Sequence, residues 1–167
     1  MKKPLSIYGA GRGMTTLVGV GLMIEGNKSD GIVEIEELTI KTRNGLFAYD
    51  GMNVIMRGCS VEDCQGTGVY AYEADISCDD LQVIGCGKSG VCALENATIT
   101  LSGQGTSIQR NVTTGKSWNY GLVAYASSSS IHLVHPLTKE EISTDNGGGR
   151  NWSGDKSWHG TIEQIFK

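Results

Sequence analysis

The chain has 167 residues, of which 24 are glycine and 2 are proline, and its formal net charge at pH 7 is -4. This length suits one domain with its own hydrophobic core, and the excess of glycine over proline favours a regular structure with many tight turns. Lysine and arginine are scattered, whereas polyanion binding needs a clustered basic surface, so we expect no nucleic-acid partner.

The first residues indicate neither a secretion signal nor a membrane span. Residues 1–4 carry the positive charge of a signal start, but residues 5–9 follow in place of a long apolar core. The apolar stretch at residues 17–24 is interrupted by glycines and is too short to cross a bilayer. We therefore expect no membrane partner, and these features are compatible with a cytoplasmic or a virion-associated protein.

The opening segment, residues 5–26, contains three short apolar runs that predict strands at residues 5–8, 16–18 and 22–24. Residues 9–13 have the glycine content of a nucleotide-binding loop. Such a loop must open a helix whose N-terminal amides face the phosphate, and the residues that follow are β-branched and interrupted by glycine. We therefore interpret residues 9–13 as a turn between two strands.

A five-residue phrase that begins with glycine then recurs four times, at residues 45–49, 68–72, 90–94 and 121–125, with the glycines 23, 22 and 31 residues apart. A period in this range predicts a solenoid, in which each coil buries a face by stacking on its neighbour. Two further short strands precede each phrase in every coil of about 22 residues, and their inward positions are Val, Ile and Leu. The pattern predicts an all-β parallel β-helix of about five to six coils with three short strands per coil.

Alternation along the phrase separates its two faces, because successive side chains of a strand point to opposite sides of the sheet. The first and third positions after the glycine are Leu or Val and Ala, and we expect these to face inward. The second and fourth positions would then form an outward aromatic stripe of Phe47, Tyr49, Tyr70, Tyr72, Cys92, Leu94, Val123 and Tyr125.

An insertion at residues 111–120 precedes the last phrase and carries Lys116, Trp118 and Tyr120. Its position predicts that it overhangs one end of the aromatic stripe, and insertions in solenoids often lie on the binding side. The predicted face for a ligand or partner therefore consists of Phe47, Tyr49, Tyr70, Tyr72, Leu94, Trp118, Tyr120 and Tyr125.

The repeat is lost after Leu133, so we assign residues 1–135 to the coils and residues 136–167 to a C-terminal cap of the same domain, made of a loop and a final strand at 161–166. Thr138 is predicted to cap one helical turn, with Glu141 folding back on it. Five cysteines are interpreted as small apolar filler rather than as disulfide or metal ligands.

Three acids follow the last residue of successive phrases: Asp50, Glu73 and Glu95. Stacked strands about 4.8 Å apart would align them in a column. Carboxylates at that spacing could serve as catalytic acid and base, or they could bind Ca²⁺. Ca²⁺ is the only cofactor that the sequence suggests. The alternative is a solvated rim of acids at turns.

Several segments resemble the first coils of the right-handed parallel β-helix of the pectate-lyase-like superfold: residues 6–11, 16–19 and 33–40, and the Asn-Gly turn at 44–45. The resemblance covers roughly residues 6–133 and implies this fold. It implies an activity much less, because such repeats occur in lyases, hydrolases, epimerases, phage fibres and non-catalytic modules. The enzymes of the superfold carry calcium-binding Asp clusters with an Arg, paired Asp with Gly-His-Gly, or Asp-Pro-His, and none of these motifs is intact here.

Two functions remain open. In the first, the chain is a non-catalytic structural or interaction module whose aromatic face associates with a second copy or with a larger protein scaffold such as a fibre or capsid. In the second, it binds or processes a polysaccharide, whose apolar sugar faces would pack on the rings. An enzyme of this second kind would be a lyase, hydrolase or epimerase that uses the three acids.

Overall fold

The computed structural model describes residues 5–154 and 158–166 and contains three parallel sheets. Sheet A has seven strands, in the order β1 (Ser6–Tyr8), β4 (Ile32–Glu36), β7 (Asn53–Arg57), β10 (Asp75–Asp79), β13 (Thr98–Ser102), β16 (Ser130–Val134) and β18 (Thr161–Ile165). Sheet B has six strands, in the order β2 (Thr16–Gly19), β5 (Thr39–Thr42), β8 (Ser60–Glu62), β11 (Gln82–Ile84), β14 (Ser107–Gln109) and β17 (Ser143–Thr144). Sheet C has five strands, in the order β3 (Leu22–Ile24), β6 (Leu46–Tyr49), β9 (Val69–Tyr72), β12 (Val91–Leu94) and β15 (Leu122–Tyr125).

From β1 to β15, each coil gives one strand to each sheet, so the chain winds through A, B and C and then repeats. The register in sheet C is the predicted one, with Val69 paired to Val91 and Ala71 to Ala93. Sheet A aligns Val54 with Ile76 in the same way. The prediction of an all-β parallel β-helix with three strands per coil is therefore confirmed.

Inward side chains from the three sheets form one continuous core, in which Ile35, Leu46, Leu81 and Ile108 are fully buried. Burial of each such Leu or Ile contributes roughly 1.5–3 kcal/mol, and every coil supplies several. Because each coil covers the inner residues of its neighbours, the core stabilises the stack rather than any single coil.

The glycine that opens each phrase is required by the close approach of successive coils. A Cβ atom built on Gly45 would lie 1.8 Å from the carbonyl oxygen of Gly68, and one on Gly90 would lie 2.7 Å from that of Gly121. No side chain fits at these distances. The recurring glycine therefore marks a packing contact between coils.

The opening segment folds as predicted, since β1, β2 and β3 match its three apolar runs. The glycine-rich stretch between β1 and β2 is a turn that leads into a strand, with the amide of Met14 donating to the carbonyl of Gly11 at 3.1 Å. Residues 1–4, whose positive charge resembles the start of a secretion signal, lie outside the described residues.

The C-terminal region begins with the predicted helical turn, α1 (Lys139–Ile142), which Thr138 caps by accepting from the amide of Glu141. The structure then adds pairing that the sequence did not predict. Strand β17 continues sheet B, β18 continues sheet A in parallel with β16, and Trp152 forms a bridge to Leu122 of sheet C. The cap thus extends all three sheets, although residues 155–157 and 167 of the predicted cap lie outside the described residues.

Among the residues that the structure describes, no helix has the length and apolar character to span a membrane.

Candidate functional site

The outward face of sheet C is the candidate site, and its two halves differ. In the N-terminal half, strands β6 and β9 present Phe47, Tyr49, Tyr70 and Tyr72, which we call the open aromatic cluster. These rings contact one another, with centroids 5.0 Å apart for Phe47 and Tyr70 and 6.4 Å apart for Tyr49 and Tyr72. All four side chains are half-buried, so each ring keeps part of its surface in solvent.

The open aromatic cluster continues onto exposed apolar residues of the first coil. Met23 on β3 is 62% exposed and Val20 is 78% exposed. Together with Phe47 and Tyr49 they border a shallow pocket of about 190 Å³. The apolar surface therefore extends from the tyrosines to the outer edge of β3.

In the C-terminal half, the equivalent outward positions are covered by the insertion. Cys92 and Val123 are buried because Tyr120 packs on them, and we call these three residues the covered cluster. Burial raises the pKa of the Cys92 thiol to about 12. The prediction that the insertion overhangs this end is confirmed. The placement of Tyr120 on an exposed face is wrong, since its side chain is only 7% exposed.

The C-terminal tail completes this cover beside Tyr125. The Tyr125 ring is stacked on Trp158 with centroids 6.0 Å apart, and its hydroxyl donates to the carbonyl of Trp118. Burial raises the pKa of Tyr125 to about 12. Trp118 and Trp158 are themselves 59% and 50% exposed. Two indole rings therefore remain accessible at the rim of the covered half, while the half-buried Leu94 lies between the halves.

His159 belongs to this region and was not among the predicted site residues. It is 6% exposed and its ring lies 6.0 Å from Tyr120 and 5.8 Å from Tyr125. Its Nδ1 atom is 2.7 Å from the carbonyl of Gly154, so Nδ1 carries the hydrogen. Its Nε2 atom has no hydrogen-bond partner among the described residues. Trp-His-Gly at residues 158–160 was visible in the sequence, but nothing in the repeat pattern placed it on sheet C.

A larger pocket of about 730 Å³ opens between the insertion and the tail. Two aromatic rings, Tyr120 and Trp152, line it together with the guanidinium-bearing Arg150 and several amide or glycine residues. The insertion and the tail are held together by backbone bonds, such as Gly149 N to the carbonyl of Asn119 at 2.8 Å. The pocket therefore depends on the same segments that cover the sheet.

The three candidate acids form a column, as their spacing predicted. Glu73 N donates to the carbonyl of Glu95 at 2.9 Å, and Gly51 N donates to the carbonyl of Glu73 at 2.6 Å. Asp50, Glu73 and Glu95 have φ angles of 57°, 50° and 46°, and all are exposed. Among the described residues their carboxylates have no hydrogen bond or ion pair, and no group of three or more His, Cys, Asp or Glu could hold a metal ion. Their catalytic and Ca²⁺-binding roles stay predictions.

Comparison with protein families finds that the family described as right handed beta helix region matches residues 20–135. This span runs from β3 to β16 and leaves out β1, β2, β17 and β18. The predicted resemblance and the right-handed sense of the coil are therefore confirmed. Comparisons with curated proteins and with solved structures find no significant match.

Proposed function

This chain belongs to the right-handed β-helix family, and from that premise we propose that it is a non-catalytic interaction module that associates with a second copy of itself. The surface for this association is the open aromatic cluster. One observation carries the proposal: four contacting aromatic rings stay half-exposed on the outer face of sheet C, next to Met23 and Val20, which are 62% and 78% exposed.

Such a surface favours a protein partner. Exposed apolar patches beyond a few hundred Å² seldom stay uncovered on a monomer, and tyrosine and phenylalanine are enriched in interfaces. A second copy brings the same sheet face, and two sheets pack face to face about 10 Å apart. A two-fold arrangement makes the contact self-complementary and closes it at two copies.

The position of the acids also supports a non-catalytic role. General acid–base chemistry needs groups within hydrogen-bond reach of one reacting atom, often with a third group that orients them. Asp50, Glu73 and Glu95 are exposed at turn tips and lack such an orienting partner among the described residues.

Light scattering on the size-exclusion peak tests this function. We expect the mass to rise with protein concentration from one chain to two. The double variant Tyr49→Ala/Tyr72→Ala should remain monomeric at every concentration. Tyr8→Ala is the matched control, because Tyr8 is also an exposed tyrosine, 62% exposed, but lies on sheet A. A wild-type chain that is monomeric throughout, or that grows beyond two copies, would contradict the proposal.

Polysaccharide binding is the second candidate, and the covered half favours it. Trp118 and Trp158 offer exposed ring faces beside Tyr125, and the pocket of about 730 Å³ adds Trp152 and Arg150. Sugar C–H faces pack on aromatic rings, and a guanidinium suits hydroxyl or carboxylate groups.

Affinity electrophoresis in gels that contain neutral or acidic polysaccharides separates the two candidates. Retardation that is lost in Trp118→Ala/Trp158→Ala but kept in Tyr49→Ala/Tyr72→Ala would support a glycan site at the covered half. Release of new reducing or unsaturated ends would further point to an enzyme and to the three acids. No retardation by any polysaccharide would leave self-association as the only candidate.

A further inference from the structure

An internal column of side chains runs along the turn after sheet B. It consists of Thr42, Cys64, Cys86, Asn111 and Asn146, one from each successive coil. The amide of Asn111 donates to the side-chain oxygen of Asn146 at 3.1 Å, and the backbone amide of Cys86 donates to the side-chain oxygen of Asn111 at 3.0 Å. At the other end, the hydroxyl of Thr42 is 4.0 Å from the sulfur of Cys64. Three of the four neighbouring pairs in this turn column are therefore joined by a hydrogen bond or close contact that involves a side chain.

Cys64 and Cys86 are consecutive members of the turn column. Glu62 is paired with Ile84 in the parallel register, which places Cys64 opposite Cys86 two residues later. The amide of Gly87 donates to the carbonyl of Cys64 at 2.6 Å, so the pairing holds to this point. Parallel neighbours are about 4.8 Å apart, which lies within the Cα separation of about 4.4–6.8 Å found in disulfides.

The other three cysteines lack such a partner. Cys59 precedes Ser60, which pairs with Gln82, so its neighbour in the next coil is Leu81. Cys78 is paired with Met56 and Leu101. Cys92 lies between Tyr70 and Val123. Among the five cysteines, the register therefore brings together one pair alone.

The two thiols also differ in acidity. A hydrogen bond from Cys86 lowers the pKa of the Cys64 thiol, whereas the same hydrogen bond, together with burial, raises the pKa of the Cys86 thiol. Cys64 is thus the better nucleophile of the two, and Cys86 retains its proton.

We propose that Cys64 and Cys86 are a peroxide-sensitive thiol pair that forms a reversible disulfide between the third coil (β7–β9) and the fourth coil (β10–β12). The Cys64 thiolate attacks one oxygen of hydrogen peroxide, the O–O bond breaks, and the departing hydroxide takes a proton to become water. The resulting Cys64 sulfenic acid is attacked by the sulfur of Cys86. The S–O bond breaks, the S–S bond forms, and the hydroxide leaves as water with the proton of Cys86. Two thiols and one peroxide thus give one disulfide and two waters.

Peroxide is the appropriate oxidant because the pair is internal. Cys64 and Cys86 are 1% and 0% exposed, so a bulky disulfide reagent would have to separate the coils before it could react. Hydrogen peroxide is a small neutral molecule and needs only a local opening of the turn. The crosslink closes a short loop of the chain, which restricts the unfolded state and raises the Tm.

Intact mass spectrometry of the folded chain after peroxide treatment tests the proposal. The protein is quenched, unfolded and alkylated with N-ethylmaleimide. We expect the untreated chain to take up 5 maleimides, one for each cysteine. The treated chain should take up two fewer and lose the mass of two hydrogens, and dithiothreitol should reverse both changes. The treated chain should also melt at a higher temperature than the reduced chain.

Single variants identify the pair. Cys64→Ser should keep all of its remaining thiols after treatment. Cys86→Ser should lose one thiol and gain the mass of at least one oxygen, because the Cys64 sulfenic acid then has no partner thiol. Cys59→Ser and Cys92→Ser should still lose two. Retention of all five thiols in the wild-type chain would overturn the proposal. So would a loss of two thiols that persists in Cys64→Ser or Cys86→Ser, or a loss that appears as a covalent dimer.

Discussion

The two halves of sheet C share one backbone pattern and differ in what lies on their outer face. Both have a glycine, an inward Leu or Val and an inward Ala in every strand, and the strands pair in one continuous register. In the open half, the second position carries Phe47 and Tyr70, which stack on each other at 5.0 Å. In the covered half it carries Cys92 and Val123, which lie beneath Tyr120.

This difference shows that the size of the outward side chains is matched to the loop residue that packs on them. Cys92 and Val123 are small, so they leave room for the ring of Tyr120 to pack on the sheet. Large rings at the same positions would displace it. The repeat itself builds the coil, whereas the size of a few outward residues, together with the insertion and the tail, determines which part of the face stays accessible.

The largest expected effect on stability comes from removing the ring that covers this half of the sheet. Tyr120→Ala removes a buried ring from the covered cluster, and we expect the free energy of unfolding to fall by about 3–5 kcal/mol, as for other large-to-small changes of buried aromatic residues. Urea denaturation measures it. Trp118→Ala is the control, because this ring belongs to the same insertion but is 59% exposed. A similar loss in both variants would mean that the insertion packs less specifically than the structure indicates.

A second prediction concerns the contact between the insertion and the tail. A Cβ atom at Gly148 would lie 2.3 Å from Cγ1 of Val112 and 2.4 Å from the carbonyl of Lys116. We expect Gly148→Ala to lower the free energy of unfolding by about 1–3 kcal/mol through this overlap. In Gly115→Ala the φ angle is similar, 68° against 62°, but nothing lies within 4 Å of the new methyl group. The difference in Tm between the two variants isolates the packing contact, and equal losses would show that backbone strain alone is responsible.

The third prediction uses one tyrosine from each half. Burial raises the pKa of Tyr70 and of Tyr125 from an ordinary value of 10.0 to about 12. Between these two values the folded chain keeps phenolic protons that the unfolded chain releases, so the stability present below pH 10 is lost as the pH rises through this window. Absorbance at 295 nm, compared with that of Tyr70→Phe and Tyr125→Phe, measures each titration.

The same titration distinguishes the halves. If a second copy covers the open aromatic cluster, a higher protein concentration should raise the midpoint of Tyr70, because association buries its ring further. The midpoint of Tyr125 should not change, since its cover comes from the same chain. If both midpoints shifted equally, or if neither midpoint shifted, association through the open half would be contradicted.

The repeat explains why the sequence predicted some of these features and missed others. The columns in sheet C were predictable because alternation is strict and the glycines recur at 23 and 22 residues. Tyr120 lies in the insertion, outside the register, so no pattern indicated which way its ring would turn. The tail pairing was hidden for a similar reason: β17 has two residues and Trp152 pairs through a single bridge, both too short to form a pattern.

The smallest expected effect concerns the acidic column, which runs along both halves. In the fifth coil, β13–β15, its position is taken by Ala126, whose φ of 69° matches the left-handed values of Asp50 and Glu73. The amide of Ala126 donates to the carbonyl of Trp158 at 3.0 Å, just as that of Glu73 donates to Glu95. What the column has in common is therefore a left-handed backbone, not a carboxylate.

Two variants of Glu73 distinguish the effect of its left-handed backbone conformation from the effect of its carboxylate charge. Glu73→Gln removes the charge and keeps the shape, so the Tm should not change, with or without added Ca²⁺. Glu73→Asn supplies a residue that tolerates the left-handed region, and the free energy of unfolding should rise, by at most about 0.5 kcal/mol. A Ca²⁺-dependent rise in the Tm of the wild-type chain that disappears in both variants would instead assign the column to metal binding, because a bound ion stabilises only the state that holds its ligands together. Since the covered end of the column has no carboxylate at Ala126, such a site would have to lie beside the open half, where Asp50 and Glu73 border the aromatic rings.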